Sequence, residues 1–214
     1  ILLYRFFPPV AANFTGKYSK LMRSLITLIK EEPQLRYGAV KSGLAFGSFL
    51  TLWAMLAFKM ELPPFYAGGT VVGLLSLCGV AGALSASFLG AYVDRIGLFR
   101  INLIGGLSML FAWTILYFMG NSYVGIVLGI IILDIGMQCI QLGNQTSIFK
   151  LRPKAVNRVN TIFMTTYFIG GATGTTLAGL AWNWMQWEGV VISGSTLIAL
   201  SFLINLYQKS SKGF

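Results

Sequence analysis

Residues 123–148, YVGIVLGIIILDIGMQCIQLGNQTSI, decide the fold class. The run contains a single charged side chain, Asp134. About 20 consecutive, mostly apolar residues are enough for a helix to cross the hydrocarbon core of a bilayer. Because lipid offers no partners for backbone polar groups, such a run is predicted to be a membrane-spanning helix.

The rest of the chain has the same character. Of its 214 residues, 56% are hydrophobic and 10% are charged, and the mean hydropathy is +0.73. A soluble domain carries about 25% charged residues. These values exclude an ordinary soluble domain and predict an all-α membrane protein whose first partner is the lipid bilayer.

Six apolar runs are separated by charged residues and turn formers, and each is long enough to span a membrane. The predicted spans are Gly38–Phe58, Tyr66–Val93, Ile101–Gly120, Tyr123–Ile148, Val156–Ala181 and Gly189–Tyr207. Short connections join them, and the last is predicted to be the loop Trp182–Glu188. Residues 38–207 are therefore expected to form one six-helix bundle, followed by a short tail over residues 208–214.

The basic residues indicate how this bundle is oriented. The net charge of +10 could indicate nucleic acid binding. With six spans, however, the Lys and Arg residues fall on the side of the N-terminal segment, and the opposite side holds only Lys59. The positive-inside rule then predicts that both termini of the chain are cytoplasmic, and the charge requires no nucleic acid partner.

Residues 1–37 differ from the bundle and are predicted to be a cytoplasmic linker. The stretch Lys17–Glu32 has apolar residues on one face and basic residues on the other, which predicts an amphipathic helix at the membrane surface, ending at Pro33. Because the chain begins at Ile1 rather than Met, we also expect a segment upstream.

Small residues recur at helical spacing within the predicted spans. Gly43 and Gly47 form one such pair, and Gly170, Gly174 and Ala178 form a ridge in the fifth span. Since lipid-embedded helices associate through close packing rather than the hydrophobic effect, these positions are predicted to be helix contacts.

The sequence offers little for enzyme chemistry. There is no histidine, and Cys78 and Cys139 do not match the spacing of a metal or redox site. Asp94 and Asp134 do not stand in the motifs of an intramembrane aspartyl protease, and no phosphate-binding glycine loop occurs. We expect no enzyme activity, no metal and no cofactor.

Polar residues inside the fourth span are the strongest candidates for function. At helical spacing, Asp134, Gln138, Gln141 and Gln145 form one line, here called the polar stripe, with Asn144 beside it. An ionisable residue at this depth is costly to insert and marks a functional position by default.

Two interpretations of the polar stripe stay open. The side chains could tie helices together through hydrogen bonds, or they could line a substrate cavity in which Asp134 carries a proton. Thr161, Thr165 and Tyr167 of the fifth span could add hydroxyl groups to such a cavity. Lys41 is expected to extend its amine to the membrane interface instead.

The loop between the second and third spans holds a recognisable motif. Residues 90–100 read GAYVDRIGLFR, which resembles the G-x-x-x-D-R/K-x-G signature of the major facilitator superfamily (MFS). The stretches 133–145 and 151–171 are also similar to bacterial members. Leu98 and Phe99 stand where the family has basic residues, as in its degenerate second copy of the motif.

The resemblance implies a conformational latch. In the family the aspartate bonds to a neighbouring helix N-terminus and a basic residue, a role that would fall on Asp94. The residues implied are Gly90, Asp94, Arg95, Gly97 and Arg100, with Arg152, Arg158 and the start of the fifth span as partners.

The resemblance also implies the architecture and the activity. The chain would be helices seven to twelve of a twelve-helix fold, its missing partner being the N-terminal six-helix half. It would belong to a secondary transporter of the bacterial inner membrane that moves a small molecule by alternating access, by proton-coupled efflux with the proton as coupling ion. The alternative is a non-transporting membrane protein, either a truncated half or a scaffold that associates with a full-length transporter.

Overall fold

The computed structural model describes residues 18–80, 82, 84 and 95–212. Its continuously described helices are α1 (Tyr18–Glu31), α2 (Pro33–Glu61), α3 (Gly69–Ser76), α4 (Leu98–Met119), α5 (Tyr123–Leu151) and α6 (Val156–Lys212). A 3-10 turn, Pro153–Ala155, joins α5 to α6.

The amphipathic helix predicted over Lys17–Glu32 corresponds to α1. Pro33 stands in the first turn of α2, where its missing N–H costs nothing. The Arg36 guanidinium donates to the carbonyl oxygens of Ile29 and Lys30, at 2.8 and 2.9 Å, and so satisfies the end of α1. Leu28 packs into the bundle, which holds α1 against it.

Four helical stretches in the described part of the chain are long and apolar enough to cross a membrane: Pro33–Glu61, Leu98–Met119, Tyr123–Leu151 and Pro153–Ser210. The last contains 58 residues, which at 1.5 Å per residue is far longer than a hydrocarbon core of about 30 Å. It contains two of the predicted spans.

The helix α6 consists of two antiparallel segments, 156–185 and 187–212. The first runs parallel to α2, because Gly43 packs on Gly170 and Gly47 on Gly174. The second runs the opposite way, because Ser48 donates to the carbonyl of Gly194 at 2.8 Å and, earlier in α2, the Lys41 carbonyl accepts from Ser201 at 2.9 Å.

The reversal occurs at one residue, Gln186, with φ 51° and ψ −134°. The prediction of a loop over Trp182–Glu188 is therefore wrong, since the helical conformation continues up to Gln186 and resumes after it. The indole of Trp187 donates to the Leu116 carbonyl at 3.0 Å and fixes the turn to the end of α4. Sequence patterning missed this because the polar and aromatic residues there resemble a loop.

The remaining long helices complete the topology. Gly105 packs on Gly136, and Gly143 on Ile101, so α4 and α5 are antiparallel. The amide of Asn205 donates to the Phe99 carbonyl, which places the start of α4 beside the end of α6. By these contacts α4 runs parallel to α2.

Because α2 and α4 run parallel, the chain that connects them must cross back to the other side of the bundle. The span predicted over Tyr66–Val93 would supply that crossing. Of this span, residues 81, 83 and 85–93 lie outside the described part, so the count of six spans stays a prediction.

One contact between helices brings backbone directly against backbone. Gly43, Gly47, Gly170 and Gly174, here called the glycine seam, bring α2 against the first segment of α6. A Cβ atom on Gly47 would lie 2.5 Å from the Gly170 carbonyl oxygen, and one on Gly174 would overlap the backbone of Gly47. This confirms the helix contact that the spacing of small residues predicts.

Candidate functional site

The polar stripe lies on the inner surface of α5, and Asp134 is its most buried member. The side chain is 8% exposed and lies against the second predicted span. A Cβ atom added to Gly82 would stand 2.9 Å from the Asp134 Cβ, and one on Gly79 would stand 3.9 Å from its Oδ2. A larger residue at Gly82 would collide with Asp134, so the two helices approach closely here.

Among the described residues, the Asp134 carboxyl group does not have a hydrogen-bond partner for each of its oxygens. Within the described residues, its buried Oδ2 atom has no hydrogen-bond partner. A buried carboxylate without a partner is costly, whereas a protonated carboxyl carries no charge and can donate its own hydrogen. The position is therefore chemically suited to taking up and releasing a proton.

Gln141 connects the polar stripe to a group of aromatic rings. Its amide oxygen accepts a hydrogen bond from the Tyr167 hydroxyl of α6 at 3.1 Å. The Tyr167 ring stacks on Phe46 of α2, with ring centroids 3.9 Å apart and planes 14° from parallel. Phe46 in turn stacks on Phe49. Sequence reasoning missed Phe46 and Phe49, because aromatic residues in an apolar span carry no distinguishing signal.

The Asn144 side chain is buried and hydrogen bonded to another helix. It is 0% exposed and exchanges two amide hydrogen bonds with Asn102 of α4, at 2.7 and 3.4 Å. Its amide also donates to the Ile140 carbonyl at 2.8 Å. This pair joins α4 to α5, which is the helix-tying arrangement that the sequence left open.

The other proposed cavity residues are more accessible. Gln138 and Gln145 are half-buried, and Thr161 and Thr165 are exposed. The Thr161 hydroxyl donates to the Asn157 carbonyl at 2.9 Å, within its own helix. The structure thus brings Asp134, Gln138, Gln141 and Gln145 onto one helix, with Gln141 alone among them hydrogen bonded to the described side chains of another helix.

The latch motif is described only in part, since Gly90 and Asp94 lie outside the described residues. Gly97 has φ 85° immediately before α4, a conformation that favours glycine. Arg95 and Arg100 are exposed. The pairing of Asp94 with Arg152 or Arg158 stays a prediction.

Arg152 has partners that the sequence did not suggest. Its Nε atom donates to Glu32 at 2.6 Å, and its Nη2 atom lies 3.5 Å from Glu31. The hydrogen bond and the charge of Glu32 raise the pKa of the Arg152 guanidinium above its usual value. These contacts fasten the end of α1 to the connection between α5 and α6.

The Lys41 side chain is buried against the end of α6, and its position at the membrane interface stays a prediction. It is 1% exposed, and its amine donates to Asn205 at 3.1 Å and to Gln208 at 3.0 Å. That distant pairing was invisible in the local sequence. At the opposite end of α2, Lys59 is also buried and donates to Asn121 at 2.6 Å.

Comparison with known proteins gives relatives named as transporters. The chain is 33% identical over 204 residues to YgaY of Escherichia coli K12, named an uncharacterized transporter, covering 95% of this chain and 52% of that protein. It is 23% identical over 208 residues to an uncharacterized transporter of Buchnera aphidicola (Baizongia pistaciae), covering 96% and 51%.

A third relative carries a family name. YybF of Bacillus subtilis, named an uncharacterized MFS-type transporter, is 24% identical over 200 residues, covering 90% of this chain and 48% of that protein. The chain spans about half the length of the curated relatives it matches. No family model and no solved structure matches it. The chain is thus a multi-pass membrane protein related to proteins named as transporters.

Proposed function

We propose that this chain forms the C-terminal half of an MFS-type secondary transporter that exports a small molecule in exchange for protons. The relatives named as transporters, each about twice as long as the matched region, support the half-transporter assignment. The observation that carries the coupling mechanism is the buried Asp134 carboxyl, whose Oδ2 has no partner among the described residues.

In this mechanism Asp134 binds a proton in one state of the transporter and releases it in the other. Rocking of two six-helix halves would open a midplane site to each side of the membrane in turn. Gln138, Gln141 and Gln145 would orient the substrate through amide hydrogen bonds, with Asn144, Thr161 and Thr165 nearby. Asp94 would latch one of the two states.

The proposal includes an orientation. Both ends of the chain face the cytoplasm of a bacterium, and the spans lie in its inner membrane, as the distribution of basic residues favours. The missing partner is the other six-helix half. Alone, the chain lacks one wall of the pathway, so no transport is expected of it as a monomer.

The test uses inverted membrane vesicles containing the product of the complete reading frame. A pH-sensitive dye reports proton movement when a panel of lipophilic cations, amino acids and sugars is added in turn. Asp134→Asn is expected to abolish substrate-dependent proton movement, while the protein is still folded and inserted. Glu61→Gln, which removes an exposed carboxyl at the end of α2, is the matched control.

Two outcomes would contradict the proposal. Normal coupling in Asp134→Asn would make Asp134 a structural residue. Saturable, gradient-driven flux by the reconstituted monomeric chain would show that no second half is needed.

The second candidate is a non-transporting membrane protein, either a truncated half or a scaffold that associates with a full-length transporter. The DNA upstream separates the two readings, because a transporter requires an open frame encoding six further spans.

A further inference from the structure

A second polar site lies away from the polar stripe, between α1 and the connection from α5 to α6. A cavity of about 550 Å³ opens there. Its polar lining includes Ser24, Thr27, Glu31, Arg152, Lys154 and Arg158. The volume is that of a small-molecule site, larger than a single inorganic ion requires.

The lining carries an excess of positive charge. Arg152, Lys154 and Arg158 face one acidic residue, Glu31. Arg152 is engaged with Glu32 and, at 3.5 Å, with Glu31. Lys154 and Arg158 form no ion pair within the described residues, so neither charge is neutralised there.

The hydrogen-bond donors that line the cavity indicate which class of anion it can bind. The hydroxyls of Ser24 and Thr27 donate to carbonyls of their own helix, at 2.6 and 3.1 Å, which leaves recognition to the cationic side chains. A guanidinium and an ammonium that line one cavity suit a phosphate oxyanion, since Arg binds it through two parallel hydrogen bonds and Lys as a point charge.

The place of the cavity in the fold indicates the source of the phosphate. The apolar helix α5 ends at Leu151; Arg152 and Lys154 follow in the connection, and Arg158 lies in the first turn of α6. If α5 and the first segment of α6 cross the bilayer, their joined ends stand at the level of the lipid headgroups. Basic pockets at this level are suited to anionic lipids.

We propose that this cavity binds the phosphate group of an anionic lipid headgroup, held by Lys154 and Arg158 with Arg152 beside them. The glycerol part of the headgroup fills the remaining volume. The ligand lies against α1, and Glu32 keeps Arg152 in place while it binds. This proposal requires only a membrane protein and is independent of proton coupling at Asp134.

The experiment measures lipid binding to the purified product of the complete reading frame in a zwitterionic detergent. Native mass spectrometry and thermal melting are followed as phosphatidylglycerol or phosphatidylcholine is added, with inorganic phosphate and glycerol 3-phosphate as soluble probes. Phosphatidylglycerol is expected to bind and to raise the melting temperature. Phosphatidylcholine and both soluble probes at equal concentration are expected to have little effect.

The double variant Lys154→Gln/Arg158→Gln is expected to weaken phosphatidylglycerol binding by about tenfold or more. Its matched control is Lys20→Gln/Arg23→Gln, which removes two exposed cations from α1 outside the cavity lining and is expected to stay within about twofold of the parent. Lys154→Gln alone changes an exposed side chain and tests the same site if the double variant does not fold.

Equal weakening by the two double variants would overturn the proposal in favour of diffuse surface attraction. Unchanged binding in Lys154→Gln together with the double variant would also overturn it. Binding of inorganic phosphate as tight as that of phosphatidylglycerol, lost in the same variants, would assign the cavity to soluble phosphate and overturn the lipid source.

Discussion

The glycine seam and the polar stripe are both inside the bundle, but they are built in opposite ways. In the seam, backbone lies directly on backbone and there is no room for a methyl group. In the stripe, long polar side chains of one helix are half-buried, and Asp134 has a carboxyl oxygen without a described partner. The seam fixes the distance between two helices, whereas the stripe leaves groups available for binding.

This difference predicts that protein stability and transport activity depend on different residues. A substitution in the seam must move two backbones, while one in the stripe removes a hydrogen bond or a charge. We therefore expect stability effects to fall from the seam to Asp134, and effects on transport to rise in the same order.

The largest loss of stability is expected for Gly174→Leu. Its Cβ would overlap the backbone of Gly47, so the helices would have to separate, at a cost of about 3 kcal/mol or more. The measurement is the yield of monodisperse protein and its melting temperature in detergent. Gly179→Leu is the control, because a Cβ at Gly179 meets no described atom within 4 Å. Equal damage by both variants would contradict the role of the seam.

An intermediate effect is expected from the amide pair of Asn102 and Asn144. Mutating each to Ala singly and together forms a double-mutant cycle for the contact between α4 and α5. Hydrogen bonds between membrane helices contribute about 0.6 to 2 kcal/mol, which is the coupling energy expected from unfolding in a denaturing detergent. Additive effects of the two substitutions would show that the pair is not energetically coupled.

A smaller effect is expected for Tyr167→Phe. The ring can still stack on Phe46, and only the hydrogen bond to Gln141 is lost. The expected destabilisation is about 0.6 kcal/mol, measured by the same unfolding titration. Tyr207→Phe, at an exposed position of α6, serves as the control and is expected to change nothing. A large loss of stability in Tyr167→Phe would place the polar stripe among the structural contacts.

The smallest effect on stability is expected for Asp134→Asn, below that of Tyr167→Phe. The substitution has a nearly unchanged shape, and Oδ2 has no described partner to lose. Coupled proton movement, in contrast, is expected to disappear. If Asp134→Asn unfolds the protein, Asp134 is a structural residue like those of the glycine seam, and the contrast between the seam and the polar stripe is wrong.

The sequence could predict features that depend on local pattern. Apolar run lengths predicted the helices α2, α4 and α5 within a few residues of their ends, and glycine spacing predicted the seam. Both follow from the length of a bilayer crossing and the size of a side chain.

Features that depend on distant partners could not be predicted in this way. The partners of Asn144 and Lys41 lie 42 and 164 residues away in the chain. The local pattern does not indicate which polar residue will form a hydrogen bond with a distant side chain. The ion pairs of Arg152 with Glu31 and Glu32 were missed for the same reason.

The one-residue reversal at Gln186 has a consequence for biogenesis. With helical residues on both sides of it, the segments 156–185 and 187–212 have almost no slack between them. Neither can settle in the membrane far from the other while the chain leaves the ribosome. We expect the last two segments to enter the bilayer together, as a preformed helical hairpin.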